Sequence, residues 1–149
     1  MQRDDEVILI VEDSEDDRAL LARAFRKANV TVPIQFAEDG DEALAVLQAL
    51  SAASVQHPVV ILLDLKLPRR SGFEVLEWIK AQPTLRRVPV VILTSSREST
   101  DLARAYDLGA NSYLVKPARL DTLLEMVERI DTYWLKLNQR AESGQPTVG

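Results

Sequence analysis

Five side chains able to handle a charged group stand directly after apolar runs of this 149-residue chain. Glu12 and Asp13 follow "VILIV" (7–11), Asp64 follows "VVILL" (59–63), Thr94 follows "VPVVIL" (88–93) and Lys116 follows "YLV" (113–115). Three crowded carboxylates repel one another, and a hard divalent cation relieves that repulsion. Oxygen ligands with retained waters suit Mg²⁺, which takes one or two carboxylates together with phosphate oxygens. A lysine adds a positive point charge and a threonine hydroxyl adds a hydrogen-bond donor. Such a set would surround a phosphoryl group and leave one carboxylate free to attack it. Zinc chemistry is excluded, since the chain has no Cys and one His.

Singly, each residue has an ordinary reading. Asp13 or Ser14 would cap a helix, Asp64 would open a turn, Thr94 is a strand-compatible hydroxyl and Lys116 a surface lysine. Asp16 and Asp17 read as first-turn charges favoured by the helix dipole. His57, before a proline, reads as a solvated loop residue. What argues for a site is the recurrence of polar groups at the ends of four runs.

The runs themselves say how those ends could meet. They are rich in β-branched residues and do not alternate, the pattern of parallel strands covered on both faces. "PIQFA" (33–37) is a fifth, weaker candidate. Between the runs the period becomes helical. Leu21, Ala24, Phe25 and Ala28 form one stripe behind a Ser14 N-cap. Ala43, Leu44 and Leu47 form a second, and Phe73 and Leu76 with either Ile79 or Lys80 a third. Leu102, Ala105, Tyr106 and Gly109 form a fourth, with Gly109 a C-cap. A last helix, from about 119 to 138, carries Leu120, Leu123, Leu124, Val127, Ile130 and Trp134. Met126, Tyr133 and Leu137 make a second stripe beside them.

Strict β–α alternation predicts one α/β domain, a doubly wound five-stranded parallel sheet with helices on both faces. "LSAASVQHP" (50–58) reads as a long loop and 138–149 as a disordered tail. In such sheets ligands bind beyond the carboxyl ends of the strands, where strand order reverses. That is the rim to which the five polar residues would be delivered.

Composition narrows the classes. Hydrophobic residues make up 46% and charged residues 28%, with a net charge of −5. No basic surface for nucleic acid is visible, and no apolar segment is long enough to span a membrane. A cytoplasmic protein is expected. "VEDSEDD" stands where a dinucleotide-binding fold needs a glycine-rich turn.

At "VILIVED", "ILLDLKLP", "VILTSS" and "YLVKP" the chain resembles the CheY-like receiver domains of two-component response regulators, over about residues 6–137. The resemblance implies a flavodoxin-like sheet of order 2-1-3-4-5. Asp64 would be the phosphoacceptor of a protein that is not itself an enzyme. Asp13, Asp64, the backbone carbonyl of Lys66 and, through water, Glu12 would bind Mg²⁺. Thr94 and Lys116 would contact the phosphoryl group, Tyr113 would be the switch aromatic, and the Lys116–Pro117 bond would be cis. Lys66 and Ser96 fall where the family tunes dephosphorylation, and Ala118 replaces a frequent aromatic. The donor would be a sensor histidine kinase. The 50–58 loop, "LPRRSGFEVL" and the aromatic last helix further resemble stand-alone regulators of bacterial phytochrome kinases. A homodimer through Met126, Tyr133, Trp134 and Leu137 is expected.

Other classes fare less well. A phosphatase of the haloacid dehalogenase type would want a second acid at Lys66. A phosphorylation-independent adaptor commonly lacks the acceptor, acids or lysine present here. A phosphorelay shuttle would use the same residues as a regulator.

Overall fold

The computed structural model describes residues 5–53 and 56–139. The strands are β1 (Glu6–Val11), β2 (Ile34–Ala37), β3 (His57–Leu63), β4 (Val90–Thr94) and β5 (Ser112–Val115). They form one parallel sheet in the order β2-β1-β3-β4-β5. The helices are α1 (Glu15–Lys27), α2 (Gly40–Ala53), α3 (Gly72–Ala81), α4 (Ser99–Asp107) and α5 (Leu120–Ile130).

Alternate residues of each strand serve opposite faces. Leu9, Val11, Ile61, Leu63, Val90 and Ile92 pack with Leu47, Leu76, Ile79 and Ala105 of α2, α3 and α4. Ile8, Ile10, Val60, Leu62, Val91 and Leu93 pack with Leu21, Phe25, Leu123, Val127 and Ile130 of α1 and α5. Both faces are covered, which is why the runs are apolar at every position. The chain leaves β1 toward the β2 edge and returns to β3 on the other side, so the strand order reverses between β1 and β3.

Local signals act as expected at several ends. Ser14 Oγ accepts from the Asp17 N–H at 3.2 Å and caps α1. Gly109 follows α4 with φ of 103°, a left-handed conformation that costs glycine little. Pro33 and Pro89 stand just before their strands, where only their carbonyls are used, by Ile8 N and Ile61 N.

Elsewhere the fold corrects the pattern. Residues 50–53 extend α2 instead of opening a loop; Ser54 and Val55 lie outside the described residues. His57 begins β3, half-buried, and its Nε2 lies 3.6 Å from Asp5 Oδ2. Pro58 pairs with Val7 beside a register shift between Val7 and Ile8; a residue with no N–H is accommodated there. On α4 only Ala105 of the expected stripe is buried, with Leu102 and Tyr106 exposed, because helical spacing does not reveal how shallowly a helix sits. Most of the expected tail, residues 140–149, lies outside the described residues.

The last helix also departs from an α-helix after Ile130, continuing as a π-helical segment, Asp131–Leu137. Its wider turn is marked by the Asn138 N–H donating to Tyr133 O at 2.7 Å, five residues back. Five-residue spacing likewise brings Lys136 Nζ to 3.0 Å from Asp131 Oδ2. Trp134 and Leu135 pack on the core, while Tyr133 and Leu137 face outward.

One close approach positions the site directly. The Gly72 N–H donates to Leu65 O at 3.0 Å, and a Cβ on Gly72 would sit 2.1 Å from Asp64 O. Backbone occupies that space on both sides, so neither can yield cheaply. Gly72→Ala should lose at least about 2 kcal/mol by urea unfolding, toward the upper part of the overpacking range. An unchanged midpoint would show that the loop adjusts freely.

Candidate functional site

The carboxyl ends of β1, β3, β4 and β5 bring the predicted polar residues to one rim. Val11 and Leu63 are partners in register, so the residues that follow them, Glu12 and Asp64, leave the sheet side by side. The Asp64 N–H donates to Val11 O at 3.1 Å and the Glu12 N–H to Ala37 O at 2.9 Å, which fixes both backbones. On the other side, the Lys116 N–H donates to Thr94 O at 2.8 Å. With Leu63 of β3 paired to Ile92 of β4, the four strand ends are held in one frame.

Lys116 Nζ is the centre of charge. It donates to Asp64 Oδ2 at 2.9 Å and to Asp17 Oδ2 at 3.0 Å, and pairs with Glu12 Oε1. Glu12 is 2% exposed and Asp64 5%, so neither has much water to solvate it. Glu12 Oε2 also accepts from the Ser14 N–H at 3.0 Å, and Asp64 Oδ1 from the Lys66 N–H at 3.3 Å. Burial pushes the Glu12 carboxyl above its ordinary value of 4.5, outweighing the bonds from Lys116 and Ser14. Burial alone would lower Lys116, but its bonds to Glu12 and Asp64 prevail and hold the ammonium well above its ordinary range.

Oxygens of Glu12, Asp13 and Asp64 lie within 4.8 Å of one another, Asp13 being the exposed member. Three hard oxygen donors at that spacing fit a divalent ion of the Mg²⁺ type.

Thr94 is fully buried, and its Oγ1 accepts from the Ser96 N–H at 3.4 Å. Tyr113 is half-buried against the α2–α3–α4 face, and its hydroxyl donates to Ser96 O at 3.1 Å. Its ring is therefore already tied to the loop after β4. Lys66 is exposed, with its ammonium 3.7 Å from Asp101 Oδ2.

Two expectations change. No peptide bond among the described residues is cis, so Lys116–Pro117 is trans; that is the isomer an X–Pro bond favours by about 0.5–1 kcal/mol, and the bonds of Lys116 are made with it. Asp17 is more than a first-turn charge, since it is a third carboxylate on Lys116. No local pattern marked it, because the contact joins the first turn of α1 to the residue that follows β5.

The fold and this rim define a class. The chain belongs to the response regulator receiver domain family, whose model matches residues 8–128. Receiver domains are phosphorylated by histidine kinases and bind Mg²⁺ or Mn²⁺ at an acidic pocket. The chain is 42% identical over 133 residues to the probable methanogenesis regulatory protein FilR2 of Methanothrix harundinacea, covering 89% of this chain and 86% of that one. It is 40% identical over 131 residues to the response regulator Rcp1 of Synechocystis, covering 87% and 89%.

Two solved structures are similar throughout. The Mn²⁺-bound form of Rcp1 gives a TM-score of 0.81 at 38% identity, covering 91% of this chain and 98% of that one. The phosphorylated cyanobacterial phytochrome response regulator RcpA gives 0.84 at 37%, covering 93% and 99%. The resemblance to phytochrome response regulators and the strand order 2-1-3-4-5 are thus both found.

The charge balance has a measurable consequence. Lys116 is raised in the folded state, so its stabilisation is complete below its unfolded value of 10.5 and is lost only as pH rises through the folded value. Lys116→Met removes it at neutral pH and strands buried carboxylates, a loss of about 3–5 kcal/mol. The deficit should shrink as pH falls from 7 into the raised Glu12 range above 4.5, where protonation removes the stranded charge. Urea unfolding of both proteins across that range checks it; a pH-independent difference would mean that lost packing, not charge, is responsible.

Proposed function

We propose that this receiver takes a phosphoryl group onto Asp64 from a phosphohistidine of a partner histidine kinase and thereby changes its α4–β5–α5 surface. The observation that carries the reading is the Lys116 ammonium bonded to Asp64 Oδ2 and paired with Glu12 in the rim of three acids. One Asp64 oxygen forms a bond to phosphorus while the P–N bond of the phosphohistidine breaks, its electron pair leaving with the imidazole. The protein is a phosphoacceptor that assists this transfer; it turns over no separate substrate.

Glu12, Asp13, Asp64 and the Lys66 carbonyl would hold Mg²⁺, which when bound neutralises the acids and the incoming phosphoryl oxygens. Lys116 keeps its ammonium on Asp64 and offsets the added charge of about −1.5 to −2. The Thr94 hydroxyl turns from Ser96 N toward a phosphoryl oxygen. Tyr113, bonded to the carbonyl of that same Ser96, carries the movement to the surface as a two-state element biased by phosphorylation.

The likeness to Rcp1 and RcpA supports a bacterial phytochrome kinase as donor. Among the described residues no helix is long and apolar enough to cross a membrane. A net charge of −5 disfavours nucleic acid. We place the protein in the cytoplasm.

Incubation with acetyl phosphate and Mg²⁺, followed by intact mass, should give one phosphoryl group on wild type. Asp64→Asn or chelation of Mg²⁺ should abolish it, and Asp16→Asn should leave it largely intact. Labelling of Asp64→Asn at the wild-type rate would remove the central assignment.

A homodimer through the last helix is the second part of the reading. Tyr133 and Leu137 are 52% and 64% exposed, beside a groove of about 510 Å³ lined in part by Met126, Tyr133 and Trp134. Exposed apolar area of this kind marks an interface, and a twofold dimer is the commonest closed form. Light scattering should find a dimer at tens of micromolar (on the order of a weak interface's range) that Tyr133→Ser/Leu137→Ser dissociates. A wild type that is monomeric with and without phosphate would sink it.

A further inference from the structure

The first turn of α4 is tied down through a relay. Its N-cap, Glu98, makes no side-chain cap bond. The Glu98 N–H instead donates to Ser96 Oγ at 3.3 Å, and the Ser96 hydroxyl donates to Asp101 Oδ2 at 2.6 Å. Asp101 is the third residue of the helix, the position whose carboxylate in a capping box reaches back to the N-cap N–H. Aspartate is one methylene shorter than the glutamate usual there, and the Ser96 hydroxyl bridges the gap.

Capping does not explain a second contact. The same Asp101 oxygen faces the Lys66 ammonium at 3.7 Å. Lys66 lies two residues after Asp64, and Ser96 two after Thr94. Asp101 therefore holds side chains from the loops that follow β3, which carries Asp64, and the adjacent β4. Its own side chain is 15% exposed against 64% for Lys66, so the anchor is fixed and the amine is tethered at the surface.

We propose that Asp101 is a positioning residue that sets the lifetime of the phosphoryl group by keeping the Lys66 ammonium docked on α4. This rests on the reading of Asp64 as phosphoacceptor. Hydrolysis forms a bond from water oxygen to phosphorus as the P–O bond to Asp64 breaks. The electron pair returns to the carboxylate, and the water proton passes to solvent. The phosphoryl group carries about −1.5 to −2 charges, so an untethered ammonium two residues away is drawn over it and obstructs the approaching water. Docked on Asp101, the ammonium leaves that approach open.

Wild type, Asp101→Asn, Lys66→Met and the double variant are labelled with acetyl phosphate and Mg²⁺, the donor is removed, and decay is followed by intact mass. Asp101→Asn lengthens the half-life about threefold to fivefold, the upper range an exposed ion pair carries. With Met at 66 the half-life becomes indifferent to the residue at 101. No change in Asp101→Asn, or the same factor in both backgrounds, overturns the proposal and leaves Asp101 a helix cap. Salt gives a second reading should Asp101→Asn fail to fold by circular dichroism. Screening lengthens the wild-type half-life but not that of Lys66→Met, and equal responses overturn the proposal. Wild type that takes no label removes the Asp64 assignment and this inference with it, whereas normal labelling with unaltered decay removes this inference alone.

Discussion

Lys116 Nζ meets Glu12, Asp64 and Asp17 at the carboxyl ends of a parallel sheet, and the rest of the site depends on that balance of charge. Two like charges about 4 Å apart repel by about 4 kcal/mol at an effective dielectric of 20. Glu12 and Asp64 are almost sealed from water, so solvent relieves little of this. A cation must stand between them. Lys116 does so with its stem buried and its backbone bonded to Thr94 O, which makes the charge balance part of the fold.

The sheet can carry such a load because its backbone has little freedom at the rim. Asp64 N and Glu12 N are each spent on the neighbouring strand's carbonyl, and α3 begins so close behind Asp64 that position 72 has no room for a side chain. Apolar layers on both faces hold the strands from either side. The acids therefore stand where the surrounding backbone and packing leave them little room to move apart.

Ser96 links this rim to β5 and to the start of α4. Its N–H reaches Thr94 Oγ1, its carbonyl takes the Tyr113 hydroxyl, and its own hydroxyl binds Asp101. Thr94 is thereby joined through one residue to a half-buried ring in β5 and to the first turn of α4. The bonds around Lys116, by contrast, do not loosen without leaving buried charge unpaired.

The strands, the Ser14 cap, Gly109 and the convergence of Glu12, Asp64, Thr94 and Lys116 were legible in the chain. An apolar run buried on both faces has no alternation, and the first polar residue after it marks where the strand leaves the core. Periodicity failed where burial depth or side-chain partners decided the outcome. Leu102 and Tyr106 have helical spacing yet face solvent, and after Ile130 the last helix widens and packs a half-buried Leu135 on the core. Asp17 looked like a helix-dipole charge until a lysine 99 residues away reached it. Asp101 carried no signal of its own, because its two partners come from different strand ends. Sequence thus determined which segments enter the core and where each emerges, since both follow from local hydrophobicity and backbone preference. Only the tertiary structure decided which emerging side chains share a bond, because that depends on strand register and helix seating, which no single segment contains.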